Sequence, residues 1–283
     1  MAWCQRFRVA GRPINAEMPD LRLASCMAEN SELVCRLVAA YLAARLDLTV
    51  EYISGISWQE RERRFDRGEI DILWLCGLPY VDKIDSLRAN MELLAVPVPA
   101  GERYQDQPIY FSDVVVRRES RFESFAQLRA APWAFNEPRS HSGFNVVRAH
   151  LAELGLRHGF FGELVESGAH SASVELILTG RVDGAAIDST VLEWLLSQRL
   201  ELARQIRVIE TIGPSPIPPW VISKEVPENR RRELRTLLLD MHRETFGRDI
   251  LDRGRLRRFA AAQDGDYDPI RIMSRKSAEV SLA

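Results

Sequence analysis

Two serines flank a histidine at Ser140-His141-Ser142-Gly143, between a short apolar run and an amphipathic stretch. Trp133 to Asn136 reads as a buried strand. From Phe144 the apolar residues Phe144, Val147, Leu151 and Leu154 recur every three or four positions, which predicts a helix ending at a left-handed Gly155. A helix start leaves backbone N–H groups without partners, and the helix dipole places positive charge there. Ser140 or Ser142 can cap the helix and also turn a hydroxyl outward, while Gly143 lets a ligand approach the backbone closely. Such a junction suits a phosphate, phosphonate, sulfonate or carboxylate. It equally describes an ordinary serine N-cap, and both readings stand at this point.

Two further side chains have the right placement. His170 follows the strand-like Glu163-Leu164-Val165-Glu166 and the turn Ser167-Gly168-Ala169, ahead of a helix that Ser171 can cap. Asp188 ends the small-to-apolar run Gly184-Ala185-Ala186-Ile187. Both fall at carboxyl ends of strands, where α/β sheets gather ligands. Asp71 and Asp183 fall at strand beginnings and are read as structural. Glu137 precedes the serine turn and would repel an anion there.

Catalysis finds no comparable pattern. The chain has no G-x-S-x-G, P-loop, H-E-x-x-H or G-x-G-x-x-G. Ser140 or Ser142 with His170 lacks an orienting acid, so no catalytic residue is assigned. His141, His170 and Asp188 show no metal-ligand spacing, and neither a metal nor another cofactor is expected.

The formal net charge of −2 excludes a global basic field, so nucleic acid is not an expected partner. Cys4, Cys26, Cys35 and Cys76 form no C-x-x-C pair and read as buried free thiols. No apolar stretch precedes Asp20, and nothing reaches the length of a membrane span. The sequence as written therefore points to the cytoplasm, and to the periplasm if the true start lies upstream.

The elements that must position these residues alternate between strand and helix. Residues 1–19 are an irregular lead-in. Leu21 to Cys26 reads as a strand, followed by a helix capped by Asn30 or Ser31 with Leu33, Val34, Leu37, Val38, Tyr41 and Leu42 on one face. Ser57 and Glu60 form a capping box, as do Ser124 and Gln127. Glu69 to Leu75 is a buried strand leading to the loop Cys76-Gly77-Leu78-Pro79-Tyr80. Gly68-Glu69-Ile70-Asp71 is echoed by Gly180-Arg181-Val182-Asp183, each after a serine-opened helix and before an apolar strand. Two similar α/β lobes are the expected architecture. Ile206 to Ile209 is a strand, residues 214–220 are too proline-rich for a helix, and a long helix begins after Pro227. From about Ser274 the chain reads as a loose polar tail.

In this order the pieces resemble the phosphate/phosphonate-binding receptors of ABC importers, which share the type II periplasmic-binding-protein fold. The resemblance rests on Gly68-Glu69-Ile70-Asp71-Ile72, Gly77-Leu78-Pro79-Tyr80, Ser140-His141-Ser142-Gly143, Ser167-Gly168-Ala169-His170, residues 182–188, Pro216-Ile217-Pro218 and Tyr267-Asp268-Pro269-Ile270-Arg271. It implies an α/β protein of two lobes, each a mixed, mostly parallel sheet flanked by helices. Lobe one would be residues 20–110 plus 207–273 and lobe two 111–206, joined by two crossing strands. A small oxyanion would be held in the interlobe cleft by hinge closure and delivered to an ABC permease.

Carried over residue by residue, the resemblance implies ligand contacts from Ser140, His141, Ser142, Gly143 and a protonated His170. Tyr80 and Trp58 would supply aromatic walls, and Asp188 would meet the ligand's other end. His141 stands where the family usually has threonine, and Trp58 where it has tyrosine. The protein is thus expected to be a non-enzymatic solute receptor. The alternatives are a cytosolic enzyme on the same fold acting on a small anionic metabolite, or a cytosolic ligand sensor.

Overall fold

A computed structural model describes residues 19–87 and 89–282; the expected lead-in, save its last residue, and Cys4 lie outside the described residues. In chain order the elements are β1 (Leu21–Ser25), α1 (Glu32–Leu46), β2 (Val50–Tyr52), α2 (Trp58–Asp66), β3 (Ile72–Trp74), α3 (Gly77–Asp85), β4 (Met91–Pro99) and β5 (Ile109–Arg117). There follow β6 (Trp133–Phe135), a π turn (His141–Asn145), α4 (Val146–Glu153), β7 (Leu164–Glu166), α5 (His170–Leu178), β8 (Gly184–Asp188), α6 (Ser189–Gln198) and α7 (Leu202–Gln205). The chain closes with β9 (Ile206–Pro216), β10 (Trp220–Ser223), α8 (Glu228–Asp240), α9 (Thr245–Arg253), β11 (Leu256–Ala260) and α10 (Asp268–Ser277).

Two sheets result. One runs β11-β4-β10-β3-β1-β2 and the other β7-β6-β8-β5-β9. In each, the β-α-β units pair in parallel, β1 with β2 and β3, and β6 with β7 and β8, while the strands next to the crossovers pair antiparallel. Alternation along the strands builds one core on each face. Ile72 and Trp74 pack with Val34, Val38 and Leu238, whereas Leu73 and Leu75 face Phe65, Leu78 and Ile270. In the second sheet Val114 and Val116 meet Val147 and Leu151, while Val115, Ala185 and Ile187 meet Val174, Ile177 and Leu192. Each lobe is therefore a sheet between two helical layers.

The repeated glycines hold equivalent places. Gly68 and Gly180 have φ of +74° and +73°, ending α2 and α5 before the turn into β3 and β8. Only glycine adopts that conformation without a steric cost.

Several local expectations are corrected. The crossing from the second sheet to the first lies at residues 217–219, not at 207, because β9 runs on through Pro214 and Pro216 beside β5. An edge strand tolerates prolines, since one side of it needs no donors. The tail from Ser274 is not loose. α10 continues to Ser277, and Val280 and Leu282 are buried in the core of lobe two. Arg148 of α4 donates to the carbonyls of Val280 and Ser277.

Of the caps, Ser57 accepts from the Glu60 N–H, but Glu60 turns to Arg63 and Arg64 instead of closing the box. Neither Asn30 nor Ser31 caps α1; the Ser31 hydroxyl lies 2.8 Å from that of Ser25. Ser124 and Gln127 open only a short 3-10 turn, with Gln127 accepting from Glu123. α5 starts one residue before Ser171, which leaves His170 as its first residue.

Candidate functional site

The carboxyl ends of four parallel strands meet across the gap between the lobes. β1 leads to Cys26, Met27, Ala28 and Glu29, and β3 leads to Cys76. Opposite them, β6 leads to Asn136, Glu137, Ser140 and Ser142, and β8 ends at Asp188. These residues line one cavity of about 210 Å³, together with Trp58, Tyr110, Gly168, Ala169, His170, Val191 and Pro218. That is below the roughly 300–1,000 Å³ of drug-sized pockets, so the cavity suits a ligand of few atoms.

Among the described residues lining the cavity, none is lysine or arginine. Positive potential comes instead from helix starts. α2, α3, the π turn, α5 and α6 all open onto the cleft, through Trp58, Cys76, Ser140, Ala169 and Asp188. Neither Cys76 nor Ala169 caps its helix with a side chain. In α5 the first helical bond runs from Ser173 N–H to the Ala169 carbonyl, so the N–H groups of His170, Ser171 and Ala172 find no acceptor among the described residues. Unpaired amides at a helix start beside a cavity suit an anion.

Side chains complete the lobe-two wall. Ser140 is the helix cap, accepting from Gly143 N–H at 3.1 Å. Ser142 is freed from that task and lies 3.0 Å from His170 Nε2. His170 Nδ1 and Asn136 Oδ1 are buried without a partner among the described residues. The Asn136 amide nitrogen likewise makes no hydrogen bond among them, and its residue lines the cavity, so it offers donors there.

Burial governs the ionisable groups. It pushes the His170 imidazole down to about 4, which disfavours the protonated ring unless a partner anion opposes the shift. Burial also raises Asp188 to about 6, although Thr190 hydrogen bonds oppose the shift. Glu137 rises to about 7 for the same reason. The Cys76 thiol is raised to about 11, again by burial, and stays neutral. Near pH 6 the cleft thus presents carboxyl groups that can carry protons.

The expected site residues divide into two groups. Ser140, Ser142, His170, Trp58 and Asp188 come together in the cavity lining. Tyr80 and His141 do not. Tyr80 lies in the first turn of α3 instead of a loop, meets Tyr267 in a tilted ring contact with centres 4.7 Å apart and donates its hydroxyl to Asp264 at 2.9 Å. His141 turns away from the cleft and is fully buried against Ser215 and Asn145. Gly143 is not among the residues lining the cavity, and its neighbours leave no room for a larger side chain. A Cβ there would fall 2.0 Å from Asn136 Oδ1 and 3.2 Å from His170 Cε1.

Tyr110 of β5, and not Tyr80, is the tyrosine in the cavity lining. It was missed because it sits within a strand rather than after one. Asn136 and Glu137 directly precede the serine turn, and their place at the end of β6 was the available signal.

The lobes also touch outside the cavity. Arg139 of lobe two makes two hydrogen bonds to the Glu62 carboxylate of lobe one, at 2.8 and 2.9 Å, and lies 5.8 Å from the centre of the Trp58 ring. Burial disfavours the Glu62 charge, but Arg139 and Lys83 outweigh it and hold the carboxyl below its usual range. Ser171 of lobe two donates to Glu29 of lobe one at 3.2 Å. Among the described residues no group of three His, Cys, Asp or Glu could hold a metal, and no helix is long and apolar enough to cross a membrane.

Comparison with known proteins follows the same lines. Residues 29–267 match the family model described as "ABC transporter, phosphonate, periplasmic substrate-binding protein". The "probable ABC transporter phosphite binding protein PhnD1" of Prochlorococcus marinus (strain MIT 9301) is 21% identical over 282 residues, covering 95% of this chain and 94% of that one. The structure of PhnD1 in complex with methylphosphonate superimposes with a TM-score of 0.79 over 92% of this chain and 98% of its own, at 21% identity. A binding protein component of an ABC phosphonate transporter from Pseudomonas aeruginosa gives a TM-score of 0.79 at 18% identity, covering 91% and 86% of the two chains.

Proposed function

The chain belongs to the family of periplasmic phosphonate substrate-binding proteins of ABC transporters, and on that premise we propose that its interlobe cleft captures a small phosphorus oxyanion. Methylphosphonate and phosphite are the leading ligands, and an ABC permease on the periplasmic side is the recipient. The observation that carries this reading is the convergence of helix starts on a cavity lined by no lysine or arginine, with Ser142 and His170 hydrogen-bonded at its wall. Ser142, Asn136, His170 and the first amides of α5 would hold the oxygens. Trp58 and Tyr110 would enclose the rest, and Asp188 would face the far end.

Asp188 and Glu137 are acceptors when charged and donors when protonated. A bound anion favours the protonated form, so capture takes up a proton at these groups. Affinity for methylphosphonate is therefore expected to fall as pH rises from about 5.5 to 8, the window set by the two raised carboxyls. Calorimetry across that range checks it, with Asp188→Asn separating the protein's proton from the ligand's own. A pH profile identical in Asp188→Asn and the unsubstituted chain would remove Asp188 from the linkage.

The Glu62–Arg139 pair would latch the closed form. Arg139 is half exposed, so screening holds its worth to about 1 kcal/mol. Glu62→Gln is expected to appear mainly as faster ligand release in stopped-flow, and an unchanged release rate would dismiss the latch.

A thermal-shift series with phosphonates, phosphite, phosphate, sulfonates and dicarboxylates tests the function as a whole, because a ligand that binds only the folded state raises the melting temperature with saturation. The largest shift should come from a phosphorus oxyanion, recovered unchanged afterwards. Shifts only with dicarboxylates, or conversion of the ligand, would overturn the reading.

A further inference from the structure

Behind the cleft, four polar side chains that do not line it are joined end to end. The Ser277 hydroxyl at the end of α10 donates to Asn145 Oδ1 at 2.9 Å, with the Ser274 carbonyl of its own helix as a second acceptor at 3.1 Å. Asn145 Nδ2 donates to His141 Nδ1 at 3.1 Å, which leaves the proton on Nε2 to point at Ser215 Oγ, also 3.1 Å away. All four residues are buried, at 2% exposure or less. Leaving one member of such a chain unpaired costs more than its bond contributes, so the members constrain one another.

The chain links three separate parts of the molecule. Ser215 lies on β9, the strand leading into the second crossing, and is paired with Tyr110 on β5, the strand that follows the first. The His141 ring meets Tyr110 edge-on, 6.5 Å between centres. His141 thus keys the π turn to both strands. Its neighbour Ser142 points the opposite way, into the cleft, toward His170. Successive side chains of a helical turn diverge, so fixing His141 fixes the aim of Ser142.

The third part is the C-terminal helix. α10 begins against lobe one, with Ile270 packed beside Tyr80 and Val81, and the residues after it are buried in lobe two through Val280 and Leu282. It spans the lobes, and Ser277 lies near the point where it reaches the turn.

We propose that His141 and Asn145 are positioning residues for the anion-binding turn, and that Ser277 is a remote anchor through which α10 sets the aim of Ser142. This rests on the reading of the cleft as an oxyanion site. A double-mutant cycle tests it, with methylphosphonate titrated calorimetrically into the unsubstituted chain, Ser277→Ala, Ser142→Ala and the double variant. Ser277→Ala should weaken binding by about threefold to tenfold while the circular dichroism stays unchanged. With Ser142 already replaced, the same change should cost less than about twofold, since no hydroxyl remains to be aimed.

A merely structural Ser277 would weaken both backgrounds equally. Equal factors, or no effect of Ser277→Ala, would overturn the proposal while leaving the oxyanion site intact. Failure of the unsubstituted chain to bind methylphosphonate, phosphite or phosphate would take down the site and this proposal together.

Discussion

Replacing His170 by alanine should weaken methylphosphonate binding by about 1–3 kcal/mol, and Ser142→Ala should do the same, as expected for hydrogen bonds to a charged group. The two side chains act as a pair across 3.0 Å. A neutral imidazole carries one proton. Placed on Nε2 it donates to Ser142 Oγ and leaves the Ser142 hydroxyl free to donate elsewhere; placed on Nδ1, the buried atom that lacks a partner, it makes Ser142 the donor to the ring. An arriving oxyanion favours the first arrangement, which turns the Ser142 proton toward it, or draws a second proton onto the ring by favouring its charged form. Since each side chain orients the other, the double variant should lose less than the sum of the single losses. Calorimetric titration of the three variants measures this directly. Unchanged affinity in both single variants would dissolve the proposed wall.

Gly143→Ala is expected to have an effect of similar size without touching a ligand atom. The backbone there needs no glycine conformation; the constraint is space. A methyl group would overlap Asn136 Oδ1 at 2.0 Å and crowd His170 Cε1 at 3.2 Å. Asn136 is the end of a side chain and can swing away, but doing so vacates the cavity wall. Overpacking of this kind costs about 1–3 kcal/mol, and here the cost should fall mainly on affinity, with only a small drop in melting temperature. Wild-type affinity in Gly143→Ala would show that Asn136 need not stand where it does.

The layout of the lobes was legible because hydrophobic alternation and turn glycines are local signals. Gly68 and Gly180 marked the same joint in both halves, and each takes the left-handed conformation there. Ser142, His170, Trp58 and Asp188 reached the cavity lining because each follows a strand or opens a helix, positions that sequence order reveals.

What sequence order hides is the direction of a side chain. His141 and Ser142 are neighbours in one turn, yet one ring is buried against Ser215 while the other hydroxyl faces the cleft. Tyr80 was expected to wall the ligand, but Pro79 is compatible with the first turn of a helix, and that turn aims Tyr80 at Tyr267 and Asp264. Their contacts lie 187 and 184 residues away in the chain, beyond any local pattern. The tail was misread for the same reason. Val280 and Leu282 are two apolar residues in a polar stretch, and only the surface of lobe two makes them core.

In the proposed site, amides and hydroxyls at converging helix starts, with His170 beside them, hold a small phosphorus oxyanion between the lobes without lysine or arginine. A crystal structure of the chain with methylphosphonate tests it most directly. The phosphonate oxygens should sit within about 3 Å of Ser142 Oγ and the opening amides of α5, with His170 beside them and no arginine or lysine in contact. A phosphonate found only on the arginine-rich exterior, or a cleft left empty at saturating ligand, would contradict it.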